Sequence, residues 1–293
     1  MKQRGVTIIE LMVSIVIGMG LIGVLLAIFS SSSSGNRFSD AQAEMNEDAQ
    51  FALQLLARQI QLAGYTAPGE AGPAYALFGC DTGFTNASGS AAAATTNLLT
   101  CNAATAPTDN HGLVISYHAD RYNTTPHSVN KDAAGNGLPT DCIGNSLALV
   151  AGANYAVVEN RFFVEPDKKR LSCAGNGGAT PFANALPLVE NVEGVEFYYG
   201  VAGGASNSVT GYRTSNNLGA ATVVVNPAMW NRVHAVRICI TMRSANKVLS
   251  TDSAYYMPCN PSLGSNTPIP IADRYARKTY SMTVTLRNRI SNL

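Results

Sequence analysis

Charge is scarce in this chain. Asp, Glu, Lys and Arg make up only 13% of its 293 residues, and the formal net charge is +1. With no basic surplus there is no electrostatic footprint for nucleic acid, and no acidic block forms a solvated tail. Proline is absent before Pro68, so nothing of that kind interrupts a helix ahead of it. None of the six cysteines sits in a C-x-x-C pair, which argues against a zinc ribbon or a thioredoxin-type redox motif. His111, His118, His127 and His234 lack zinc-ligand spacing. There is no G-x-S-x-G elbow, no P-loop and no strand followed by G-x-G-x-x-G. Carboxylates are too sparse to assign a glycosidase pair. The residues therefore suggest neither catalysis nor a cofactor or metal, and residues 130–137 read as a glycine turn because they lack the alternating ligands and closing glutamate of a calcium loop.

What the chain has in abundance is apolar length at its N-terminus. Residues 1–5 are short and basic, with Lys2 and Arg4, and end in Gly5. Residues 6–29 come next with a single charge, Glu10. As a helix this run spans ~36 Å, enough for a bilayer core. The positive-inside rule keeps Lys2 and Arg4 on the cytoplasmic side and sends the rest of the chain outward. A carboxylate in an apolar helix costs roughly 2.5–3.5 kcal/mol at the bilayer centre, so Glu10 calls for a partner. An ordinary signal peptide cut near the serines at 30–34 is the alternative, as is a simple membrane anchor. Against both, the run is long, contains Glu10, and continues as a helical pattern past the serines.

The order of these features is informative. Arg4-Gly5-Val6-Thr7-Ile8-Ile9-Glu10-Leu11-Met12-Val13 resembles the leader of type IV pilins and pseudopilins. The resemblance implies that a prepilin peptidase cuts between Gly5 and Val6 and methylates the new amine of Val6. It also implies that Glu10, five places into the mature chain, pairs with the N-terminal ammonium of a neighbouring subunit during assembly. The chain departs from many members in beginning its mature form with Val6 instead of Phe, and in having no proline within the membrane helix.

Beyond the serines, Phe38, Ala41, Met45, Ala49, Ala52, Leu56, Ile60 and Ala63 recur at helical steps. The pattern stops at Ala63-Gly64-Tyr65, so one helix is expected over 6–64, its apolar stripe packing on a head domain C-terminal to it, with a coiled-coil seam as the alternative. Residues 66–110, with a low-complexity run at 88–96, read as an irregular surface insertion. Strand patterns cover 113–118, 155–164, 194–201, 232–243 and 278–287. In the fourth, Val236, Ile238, Ile240 and Met242 share a face; in the last, Tyr280, Met282, Val284 and Leu286 do. The charges Asp273, Arg274, Arg277, Lys278, Arg287 and Arg289 read as a solvated face or a subunit contact.

Six cysteines imply disulfides in an oxidising compartment. Many connectivities are possible, and sequence alone does not choose. Pairing of sequence neighbours is the expectation, because Cys80 with Cys101, Cys142 with Cys173, and Cys239 with Cys259 each bracket one loop-rich stretch.

Residues 188–201, 233–243 and 286–289 resemble PilW-type minor pilins and, more distantly, the J-type pseudopilins of type II secretion. Taken together, an α+β fold is expected. A leader (1–5) precedes a helix (6–65, transmembrane over 6–29) and a β-rich head (66–293) with antiparallel sheets. The resemblance implies a structural subunit, anchored in the inner membrane with a periplasmic head before assembly and in the filament or at its tip afterwards. Its partners would be other minor pilins, the major pilin, the prepilin peptidase and the assembly platform. A type II secretion pseudopilin and a secreted enzyme with an ordinary signal peptide remain the rival readings.

Overall fold

The structure is a computed structural model. It describes residues 7–85, 87–88, 101–102, 110–203, 208–219, 227–249, 254–259 and 267–289.

One helix, α1 (Ile8–Leu62), runs without a break for 55 residues. Thr7 starts it with a capping box. Glu10 N–H donates to Thr7 Oγ1, and the Glu10 carboxylate reaches back to the Thr7 N–H. At the far end Gly64 takes a positive φ of 73°. The last carbonyls are met from a distance: Asn288 Nδ2 donates to the oxygens of Gln61, Leu62 and Ala63 at 3.0–3.3 Å.

Two antiparallel sheets form the head. The first is a meander of β1 (Leu77–Cys80), β2 (Gly112–Ala119), β3 (Ala156–Glu165), β4 (Arg170–Gly175) and β5 (Leu186–Glu190), paired in that order. Asn191, at φ 59°, turns the chain from β5 into β6 (Val192–Ala202) of the second sheet. There β7 (Val209–Arg213), β8 (Val233–Lys247) and β11 (Tyr275–Thr285) join it in the order β11-β8-β6-β7. The short helix α2 (Pro227–Trp230) precedes β8, and a separate pair, β9 (Ala254–Tyr256) with β10 (Ile269–Ile271), lies between β8 and β11 in the chain. The sheets are stitched where His111 N–H donates to the Val195 carbonyl at 2.9 Å.

The two sheets and the second half of α1 enclose one core. Ala41, Met45, Ala49, Ala52, Leu53, Leu56 and Ile60 of α1 are buried. Most of them share a cluster with Leu113, Ile115 and Phe162 of the first sheet and Phe197, Ile238 and Ile240 of the second. Burying each of the larger side chains is worth about 1.5–3 kcal/mol before ordering entropy is subtracted. The expected stripe is therefore the packing face from Ala41 onward. Phe38 is the exception at 39% exposure, because the sheets end before they reach it. Leu53 joins the face although it lies off the expected stripe.

The alternation read in β8 holds: Val236, Ile238, Ile240 and Met242 are all fully buried. In β11 and just beyond it, Val284 and Leu286 are buried while Tyr280 and Met282 are half-covered. Within 66–110 the described strand Leu77–Cys80 corrects the expectation of a surface insertion, being fully buried and paired with β2; the low-complexity run lies outside the described residues except at Ser88. Four residues are too few to show a period. A close approach also hides there: a Cβ at Gly79 would collide with the Tyr199 hydroxyl of the facing sheet.

Candidate assembly surface: the uncovered half of the long helix

From Ile8 to Phe29 the large apolar side chains of α1 point into open space on every side of the helix. This stretch is ~33 Å long at the helical rise. It is long and apolar enough to cross a membrane, and its most apolar window is wholly uncovered by the head. A core helix of a globular domain would be buried; this half is apolar all round with nothing of its own chain against it.

Glu10 is the charge in that surface. Its carboxylate lies 3.4 Å from both the Thr7 N–H and the Thr7 hydroxyl, in the first turn, where the positive end of the helix dipole favours it. Ser14 Oγ donates to the Glu10 carbonyl at 2.7 Å. Among the described residues no cation pairs with Glu10. Gly5 and Val6 lie outside the described residues, and with them the expected cleavage and methylation site.

Higher on α1, Asp40, Glu44, Glu47 and Asp48 carry no salt bridge among the described residues. Burial, and then the charges of Glu44 and Glu47, push the Asp48 carboxyl above its ordinary value.

The remaining polar candidates are structural. His111 is buried, its Nδ1 accepting from the Phe197 N–H at 3.0 Å and lying 3.7 Å from Asp81. His118 stacks on Tyr155 with centroids 4.1 Å apart and accepts from the Ala67 N–H. Burial lowers its pKa. No group of three metal-ligating side chains occurs among the described residues. Within 130–137, Asp132 accepts from the N–H groups of Ala134 and Asn136 and closes a turn around Gly135, at φ 83°.

The C-terminal charges do not form one patch. Asp273 and Arg277 pair bidentately at 2.6 Å, and Arg277 also reaches Glu193 at 3.3 Å. Arg274 caps the Leu249 carbonyl, and Lys278 reaches Asn46 on α1. The disulfides join Cys80 to Cys101, Cys142 to Cys173 and Cys239 to Cys259, with Cα separations of 5.4, 6.4 and 5.6 Å. The first anchors the end of β1, the second ties a loop to β4, and the third holds a segment after β9 against the outer face of β8.

Residues 155–288 match the family model described as Type IV Pilus-assembly protein W, PilW. The head thus carries a segment similar to PilW. It begins at the start of β3 and ends at Asn288, the residue that caps α1, and it spans nearly all of the three stretches whose sequence resembles PilW. The PilW match supports a pilin-related role. It does not include α1, β1 or β2. Among solved structures, a type IV-like pilin from Thermus thermophilus is similar at 14% identity and a TM-score of 0.39, covering 86% of this chain and 97% of that one. No curated protein matches the sequence.

Proposed function

We propose that this chain is a minor pilin: a structural subunit that primes assembly of a type IV pilus or sits at its tip. The observation that carries the reading is the apolar half of α1, exposed on all sides and continuous with the half that builds the core of the PilW-matching head. Such a helix has two solvents available to it, lipid and the helices of neighbouring subunits, and transfer from one to the other is what filament assembly requires.

In this reading the first half of α1 lies in the inner membrane with the head in the periplasm. Prepilin peptidase removes residues 1–5, leaving the amine of Val6 to be methylated. The new ammonium and Glu10 are opposite charges at the same depth of an apolar medium. Glu10 of one subunit then meets the ammonium of the next, and each offsets the cost of burying the other. The partners are other minor pilins, the major pilin, the peptidase and the assembly platform. The subunit is structural, not catalytic.

Mass spectrometry of the natural protein tests this directly. Val6 should be the first residue, with the mass of one methyl group added. A terminus near residues 30–35 would replace the pilin reading with a secreted protein cut by ordinary signal peptidase. Deleting the chain should abolish piliation and leave type II secretion intact; the reverse result would make it a pseudopilin.

A further inference from the structure

The outer face of the second sheet, turned away from α1, holds a recess of about 300 Å³. Its floor is the cross-strand pair Tyr198 and Arg237. On one side stands Tyr212 of β7; on the other, the Cys239–Cys259 disulfide brings Pro258 over the sheet. Both cysteines of that bridge are buried, so the wall is covalently fixed. Thr279 and Ser281 of β11 present hydroxyls along the remaining edge.

Arg237 is the unusual member. Its guanidinium lies over the Tyr212 ring at 4.1 Å from the centroid. The ring contact is a cation–π one and uses up none of the guanidinium's N–H edge, the hydrogen-bonding fork that fits a carboxylate bidentately. No acidic side chain among the described residues takes that edge. Glu196, the carboxylate on the adjacent strand, is engaged by the Tyr198 hydroxyl. Aromatic and disulfide walls, one oriented cation and two hydroxyls are the usual make-up of a small-ligand site, and the volume is that of a monosaccharide-sized guest.

We propose that this recess binds an acidic sugar, with Arg237 holding the carboxylate and Thr279 and Ser281 meeting ring hydroxyls. A plain aliphatic acid would satisfy Arg237 and leave the hydroxyls of the edge unused. The site lies on the face opposite α1, so it stays open when the helix is engaged, and it does not depend on the chain being a minor pilin.

The test uses the full chain in detergent micelles with isotope-labelled arginine, and NMR at the Arg237 Nε–H. Glucuronate should shift that resonance, while glucose should leave it in place and succinate should bind about tenfold more weakly than glucuronate. By isothermal titration calorimetry of glucuronate into the variants, Arg237→Lys keeps the charge and loses the fork, and should weaken binding about tenfold; Arg237→Gln should abolish it. Ser281→Ala, an exposed position, should weaken it several-fold with the melting temperature unchanged. An Arg237 resonance indifferent to glucuronate overturns the proposal. So does an equal response to glucose or to succinate, or glucuronate binding that survives Arg237→Gln or is untouched by Arg237→Lys. Normal Val6 maturation alongside a failed titration would sink only this inference, and a failed maturation alongside Arg237-dependent binding would sink only the pilin reading.

Discussion

The Tyr280 hydroxyl of β11 donates to Asn46 Oδ1 of α1 at 2.6 Å, and Lys278 Nζ approaches the same oxygen at 3.2 Å. These contacts fasten the flank of the helix to the last strand just where α1 begins to leave the head. Tyr280→Phe should cost about 0.5–1.5 kcal/mol, and Asn46→Ala a similar amount, since water can reach the exposed Lys278 and the half-buried Tyr280 it leaves. In a double-mutant cycle by urea unfolding, the pair should couple. Strict additivity would mean that the contact contributes nothing in solution.

The second half of α1 supplies one wall of the core, so the head should depend on it. A soluble version beginning at Arg37 should melt well above one beginning at Thr66, since the shorter form uncovers Val236, Ile238 and Ile240. Amide exchange in β8 should rise by several orders of magnitude in the shorter form. Equal melting temperature and equal protection would show that the sheets close without the helix.

Acid should weaken the head through Glu165. Burial raises the pKa of this carboxyl, but the hydrogen bonds from Arg170, Lys168 and Ser172 outweigh it and bring it down from 4.5 to about 2. A depressed carboxyl contributes stability that is fully present above its unfolded pKa and disappears as pH falls through the folded one. The loss therefore runs from about pH 4.5 down to about pH 2, and Asp273, also lowered to about 2 beside Arg277, adds to it. Chemical denaturation from pH 6 to pH 2 should show a shallower decline for Glu165→Gln than for the natural chain. Parallel curves would remove Glu165 from the account.

Glu10 serves assembly in the proposed reading and has no part in the head. Glu10→Ala should insert in the membrane at least as well, since removing a charge lowers the insertion cost. The melting temperature of the head should not move, and recruitment into filaments should fall. Full piliation with Glu10→Ala as the only copy would count against the role given to it.

Much of this architecture is legible in the sequence because the signals are long. Residues 8–62 hold a long apolar run followed by a helical stripe, with no proline, and β8 and β11 alternate over many residues, so period and face can both be read. The stripe overreaches at Phe38, since sequence periodicity does not say where the covering sheet ends. The strand Leu77–Cys80 escapes because four residues in a glycine- and alanine-rich stretch show no period, and its burial comes from pairing with β2. Asn288 is marked only by its place in the PilW-like ending, and its hydrogen bonds to α1 span more than 200 residues of sequence. The Arg237 recess cannot be seen in advance, because it needs β6, β7, β8, β11 and a disulfide-held segment in one place.

The three disulfides have a mechanical consequence. A load applied along α1 pulls on the head through the strands packed against it. If the head gives way, each residue released adds ~3.3–3.6 Å of length. The covalent loops withhold their own spans of 21, 31 and 20 residues from that extension. The third loop joins β8, a strand in contact with α1, to the segment after β9. A head stretched to failure therefore releases a tether shorter than its full chain by those three spans. Single-molecule pulling would read this as a contour length that falls short of the full chain until the disulfides are reduced.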